Sequence, residues 1–191
     1  MQASCIGKQN HESQRIQLLL SSNIDLIKKL KETELDAIIV ALNETTSGQE
    51  FEHLPMFEDE IFLAVHKDSK YVSYDEIDLS QLKDETFLTL AKGFATRSDS
   101  DIVFEKANID PKVFLQVSDI FTLISMVNSG VGFALLPGRI SSIYESSVKL
   151  IRLKREYQIK QEIGLVFLKS KERDPNLLAL IAECRMFTRN V

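Results

Sequence analysis

The chain has 191 residues, 44% hydrophobic and 27% charged, with a net charge of −5. This is a globular composition with core enough for one domain or two small lobes, which excludes a disordered segment. The acidic balance excludes a module built only to grip phosphate backbones, and the longest apolar run, residues 131–136, is too short to cross a bilayer.

Residues 1–15 (MQASCIGKQNHESQR) lack the apolar core of a signal peptide, which points to an intracellular, cytoplasmic protein. Cys5 and Cys184 form no spaced motif and fit a reducing compartment. Residues 16–20 (IQLLL) read as a short strand. Ser22 reads as a helix N-cap with Asp25 completing a capping box, and Ile24, Ile27 and Leu30 give the apolar stripe of a helix to about Glu34. Residues 35–42 (LDAIIVAL) are a continuous β-branched run, the mark of a strand buried on both faces. Strand, helix, strand in that order predicts a parallel pair with a right-handed crossover.

A turn-rich loop, residues 43–49, follows at the carboxyl end of that strand, where open α/β sheets bind ligands. Residues 51–66 read as two strand-like pieces parted by Glu58 and Asp59, and Pro55 argues against a central strand in the first. One helical turn is expected at residues 79–82 and a strand at 86–90. Ser98 opens a second helix with Asp101 at the capping-box position, ended by Asn108 and Pro111. Residues 113–117 alternate as a strand. Ser118 or Asp119 then caps an almost wholly apolar helix that Gly130 stops, an element expected to be covered on most sides. Strands are expected at 132–136, 148–153 and 163–168, and Asp174-Pro175 opens a terminal helix whose buried face carries Leu177, Leu180, Ile181 and Cys184. Alternation of this kind predicts an α/β fold.

Four segments in this order carry a family resemblance: LKETELDAIIV, LPMFEDEIFLAVHKDS, VSDIFTLISMVNSGVGFALLP and EIGLVF. From about Ile24 to its end the chain resembles the effector-binding domain of LysR-type transcriptional regulators. The resemblance implies a two-lobed, periplasmic-binding-protein-like (type II) α/β fold with a ligand cleft between the lobes. Lobe one is expected from residues 1–63 plus 162–191, and lobe two from 64–161. It implies a non-enzymatic sensor of a small, anionic metabolite, forming a homodimer, and a tetramer when the DNA-binding part is attached. DNA would be contacted only through an N-terminal helix-turn-helix that this sequence does not contain. No cofactor, metal or membrane partner is expected. The family's first strand and the helix after it should precede Ile16, and in the fifteen residues before it only residues 3–6 have strand character. In the peroxide-sensing branch of the family a reactive cysteine sits in the loop matching residues 93–99. Here that loop reads GFATRSD, with Ala95 at the position, so a reversible ligand is expected instead of thiol chemistry. The alternative is a stand-alone solute-binding protein, which the lack of a secretion signal disfavours.

The candidate site residues follow. Phe94, Ala95, Thr96 and Arg97 precede the Ser98 helix, where free backbone N–H groups and the helix dipole favour a carboxylate or phosphate. There Thr96 offers a hydroxyl and Arg97 a fork. The other reading is that Thr96 and Ser98 only cap the helix while Arg97 is solvated. Ser118 is a candidate at the next helix start, against plain capping. Asn43, Thr45 and Thr46 face the cleft from lobe one or form an ordinary surface loop. His11, His53 and His66 have no ligand spacing. The basic run Lys149, Arg152, Lys154, Arg155 and Lys160 is interleaved with acids and reads as a solvated strand face, and the acidic group Glu58, Asp59, Glu60 lacks a partner for catalysis.

Overall fold

A single strand runs through the whole molecule. The computed structural model describes residues 16–141 and 148–189. Its elements in order are α1 (Asn23–Lys31), β1 (Ile38–Ala41), β2 (Phe51–His66), β3 (Glu76–Ile77), β4 (Thr86–Leu90), α2 (Ala95–Lys106), β5 (Lys112–Val117), α3 (Ile120–Asn128), β6 (Ala134–Pro137), β7 (Val148–Leu153), β8 (Lys160–Leu168) and α4 (Pro175–Thr188). The through strand is β2. From Phe51 to Glu60 it pairs antiparallel with β8. From Ile61 onward it lies between β6 and β7. This exchange of partners divides the molecule into two α/β lobes.

In the first lobe β8 is flanked by β1 and β2. Its run GLVFL is apolar throughout because both sheet faces are covered. Val166 and Leu168 pack with Ile38, Val40, Phe51 and Leu30 of α1 on one face. Leu165 and Phe167 pack with Leu177, Ile181 and Cys184 of α4 on the other. Each such aliphatic side chain taken fully from water contributes about 1.5–3 kcal/mol. Gly164 is required here, since a Cβ would stand 2.8 Å from the Leu54 carbonyl oxygen and from Leu42 Cδ1. Opposite it the β2–β8 register slips between Pro55 and Phe57, an irregularity that lets a proline sit in a central strand.

In the second lobe β4 and β5 pair in parallel, and a Phe87–Phe133 bridge joins them to the residues leading into β6. Phe87, 1% exposed, packs edge-on against Phe104 of α2 at 4.9 Å between centroids. Leu123, Ile124 and Val127 of α3 pack with Leu88, Leu90 and Leu136.

Several expectations are corrected. Residues 16–20 form no strand; Ile16, Leu18 and Leu20 are 67%, 81% and 80% exposed, with no neighbouring strand to pair with among the described residues. The parallel pair is therefore absent, and β1 instead runs antiparallel to β8. β1 is also not buried on both faces: Ile39 is 52% exposed, with no described residue covering it on that side. Residues 51–66 are one strand, not two. α2 begins three residues earlier than Ser98, and α3 is covered on one face only, with Phe121 40% exposed. Residues 3–6, Cys5 and His11 lie outside the described residues.

Candidate functional site

Two helix amino termini meet at the seam between the lobes. The first belongs to α1. Ser22 caps it, its Oγ accepting the Asp25 N–H at 3.2 Å, and Asp25 in turn accepts from Ser21 Oγ at 2.7 Å. The cap uses one amide and leaves those of Asn23 and Ile24 at the helix mouth. Beside them the Asn23 side-chain amide nitrogen is buried and has no hydrogen-bond partner among the described residues. A buried donor left unpaired costs about 1–3 kcal/mol, so it marks a place where the fold keeps a polar group at the expense of stability.

The second terminus belongs to α2. β4 leads into it through a turn at Gly93, whose φ of +102° suits glycine. A Cβ at Gly93 would lie 3.5 Å from Ser22 Oγ and 3.4 Å from Ile24 Cδ1, so this turn presses on the start of α1. α1, α3 and α4 are capped by Ser22, Asp119 and Asp174, but Phe94 at the α2 N-cap supplies no side-chain hydrogen bond. The Arg97 and Ser98 amides bond back to the Phe94 carbonyl, leaving Ala95 and Thr96 amides at the mouth. α2 thus offers backbone N–H groups and the positive end of its dipole to an anion.

The candidate residues fare differently. Phe94, Ala95 and Thr96 are half-buried at this terminus. Arg97 is committed elsewhere: Nε donates to both Asp101 carboxylate oxygens at 2.8 and 2.9 Å, and Nη1 donates to the Leu90 carbonyl at 3.1 Å. It braces the first turn of α2 against the end of β4. Ser118 is exposed and is not the cap; Asp119 accepts from the Phe121 and Thr122 amides. Those bonds, with the Thr122 hydroxyl foremost, hold the Asp119 carboxyl below its usual range. The Ala91 amide bonds the Val117 carbonyl at 2.8 Å, which brings Ser118 to the same end of the lobe as the Gly93 turn. Asn43, Thr45 and Thr46 satisfy one another: Asn43 Oδ1 accepts from the Thr45 amide and hydroxyl, and Thr46 Oγ1 accepts from the Asn43 amide.

Several charges of the β2, β7 and β8 region are paired. Lys160 meets Glu58 at 2.9 Å, Arg152 meets Glu60 at 3.7 Å and Lys154 meets Asp78 at 2.7 Å. Arg139 lies over the Phe57 ring at 3.6 Å while its amide donates to Asp59. Together Glu58, Asp59, Glu60, Arg139 and Arg152 line an open groove of 560 Å³ on the β2–β7 side. Among the described residues no three or more His, Cys, Asp or Glu gather as a metal site. Asn23 is a residue at this seam that sequence reasoning did not single out. Its signal is a second polar side chain directly after a serine cap, where capping needs only one.

The family model for the LysR substrate binding domain matches residues 8–188. The Malonate utilization transcriptional regulator of Klebsiella pneumoniae is 41% identical over 92% of this chain, and the chain spans 58% of that protein's length. OxyR of Escherichia coli, named a DNA-binding transcriptional dual regulator, is 28% identical over 66% of this chain and is covered over 38% of its own length. Among solved structures, the effector binding domain of QuiR in complex with shikimate superposes with a TM-score of 0.76 at 23% identity, over 88% of this chain and 79% of that one. The regulatory domain of Synechocystis CcmR in complex with 2-PG superposes with a TM-score of 0.79 at 17% identity, over 89% and 81% respectively.

Proposed function

The chain belongs to the LysR substrate binding domain family, and on that premise we propose that it is the effector-sensing part of a transcriptional regulator that binds a short dicarboxylate between its lobes. The observation that carries this reading is the Asn23 amide, buried and without a partner among the described residues beside one helix mouth, with the turn leading into a second, uncapped helix mouth next to it. Each amino terminus suits one carboxylate. Two termini facing each other at close range suit two carboxylates on a short spacer.

The Klebsiella relative supports the choice of ligand class, since it is named for malonate utilization. The ligands seen with QuiR and CcmR, shikimate and 2-PG, are also small anions. In this reading the ligand is held by the Ala95 and Thr96 amides, the Thr96 hydroxyl and Ser118 from lobe two, and by Asn23 and the α1 amides from lobe one. Arg97 contributes charge from behind the terminus, and Asn43, Thr45 and Thr46 shape the lobe-one rim. We take lobe one as residues 1–63 plus 162–191 and lobe two as 64–161, a division supported by the exchange of β2 partners between Glu60 and Ile61. The domain acts in the cytoplasm as a homodimer, and DNA contact belongs to a region that these residues do not include. The ligand acts through its different affinity for the open and closed lobes.

A denaturation series with malonate, succinate and acetate tests the proposal. At a hundred times its dissociation constant malonate should add about 2.7 kcal/mol, a rise in Tm of about 5–10 °C for a chain of this size. Acetate should add little. Stabilisation by neutral metabolites and by none of these acids would remove the dicarboxylate reading.

A further inference from the structure

α2 is fastened at both ends to one short stretch of chain. Asp99, one turn beyond the helix mouth, accepts a hydrogen bond from Gln161 Nε2. Gln161 is on β8, opposite Asp59 of β2, in the stretch where the two strands pass between the lobes. Near the far end of α2, Lys106 Nζ donates to the Gln158 carbonyl at 3.4 Å, in the loop that leads into β8. Gln158 itself donates to the Leu153 carbonyl at the end of β7. The return connection is thus tied both to α2 and to the strand it leaves.

The Asp99–Gln161 contact is chemically unlike its surroundings. Gln161 is only 6% exposed, between the exposed Lys160 and Glu162, on a strand whose other buried side chains, Leu165 to Leu168, are aliphatic and aromatic. Burial pushes the Asp99 carboxyl up, and the Gln161 amide works against that shift. Separating the two leaves a desolvated carboxylate and a buried amide, both unsatisfied. Apolar packing tolerates small slides of a helix, whereas this pair is satisfied in one geometry only. The helix so fixed is the one entered through the Gly93 turn beside the start of α1.

We propose that Asp99 and Gln161 are positioning residues that lock α2 to the crossing strands and so set the separation of the α1 and α2 amino termini. The pair gives the site its geometry, and it rests on the reading above that those two termini hold the ligand. The ligand is met by an α2 already held at a fixed angle, and any change in that angle reaches β8 directly.

The test measures the inter-lobe distance without ligand, between spin labels at Lys28→Cys on α1 and Glu105→Cys on α2, in a Cys5→Ser background. Asp99→Ala and Gln161→Leu should each lengthen and broaden the distance distribution, and the double variant should add nothing further. Asp99→Asn, which keeps a carbonyl acceptor, should restore the native distribution where a general packing defect would not. In the same proteins malonate binding should weaken about tenfold in Asp99→Ala and recover in Asp99→Asn. Unchanged distances in folded Asp99→Ala protein overturn the lock, whatever malonate does. Shifted distances in a protein that never binds malonate uphold the lock and count only against the dicarboxylate. If Gln161→Leu does not fold, the variants at half-buried Asp99 decide alone.

Discussion

Gly93 of the second lobe stands against Ser22 of the first, so close that the smallest side chain on Gly93 would touch the serine that caps α1. The seam is narrow at this point, and both helix mouths open beside it. Gly93→Ala therefore has two consequences. The positive φ of Gly93 makes any L side chain cost about 1–2 kcal/mol, and the added methyl occupies the seam in van der Waals contact with Ser22 and Ile24. Gly130 is the matched control, with a positive φ but nothing within 4 Å of its would-be Cβ. Both alanine variants should lose similar stability in urea, and only Gly93→Ala should lose malonate binding by calorimetry. Equal binding in the two would detach the seam from the ligand.

Asn23 gives the opposite trade. Its amide is buried without a partner among the described residues, so Asn23→Leu removes an unsatisfied donor and adds a better helix former. Ligand-free protein should gain about 1 kcal/mol in urea unfolding while malonate no longer raises its Tm. Site residues held against stability behave this way, and an ordinary helix-start residue does not. A loss of stability with ligand response intact would return Asn23 to a structural role.

Arg97 and Asp101 separate bracing from binding. The Arg97 side chain is 13% exposed and Asp101 57%, so the carboxylate is the dispensable partner. Asp101→Ala should cost under about 0.5 kcal/mol, as for other exposed helix pairs. Arg97→Ala also removes the bond to the Leu90 carbonyl and should cost about 1–2 kcal/mol. Thermal melts of the two variants check this ordering, and near-equal losses would mean that the Leu90 bond carries no weight.

Much of this was legible in the residues. Ser22, Asp174-Pro175 and the apolar run of β8 declared their elements because caps and two-sided burial leave local marks. The start of α2 did not. Ser98 and Asp101 imitate a capping box, but the true N-cap is Phe94, which has no polar atom to announce it. Residues 16–20 have the composition of a strand, yet strand formation depends on a partner edge that no local pattern encodes. Arg97 looked like a free anion fork because the residue it grips lies one helical turn on, and a turn's geometry appears only once the helix start is known. Asn23 left only a faint mark, a polar residue after the Ser22 cap: its burial is a property of the packed lobes, not of the sequence SSNID.

Asp78 is the second-lobe carboxyl held furthest below its usual range. Its carboxylate accepts from Lys154 Nζ at 2.7 Å, from the Tyr157 hydroxyl at 3.2 Å and from the Ser80 amide at 2.9 Å. The Lys154 bond above all, then those from Ser80, hold its pKa far below the usual carboxylate range. The sign follows from linkage. A carboxyl with a depressed pKa in the folded state contributes its full stabilisation above the unfolded value and loses it as the pH falls toward the folded one. Asp99, raised by burial, has the opposite sign and is relieved by acid. Asp78→Asn keeps an acceptor but not the charge, so it should cost about 1 kcal/mol at neutral pH. Urea unfolding at a series of pH values checks the window: the gap between wild type and Asp78→Asn should hold steady down to about pH 4 and narrow below it. A gap that stays constant through that range would mean the Lys154–Asp78 pair is energetically silent and that the acid limb is set elsewhere.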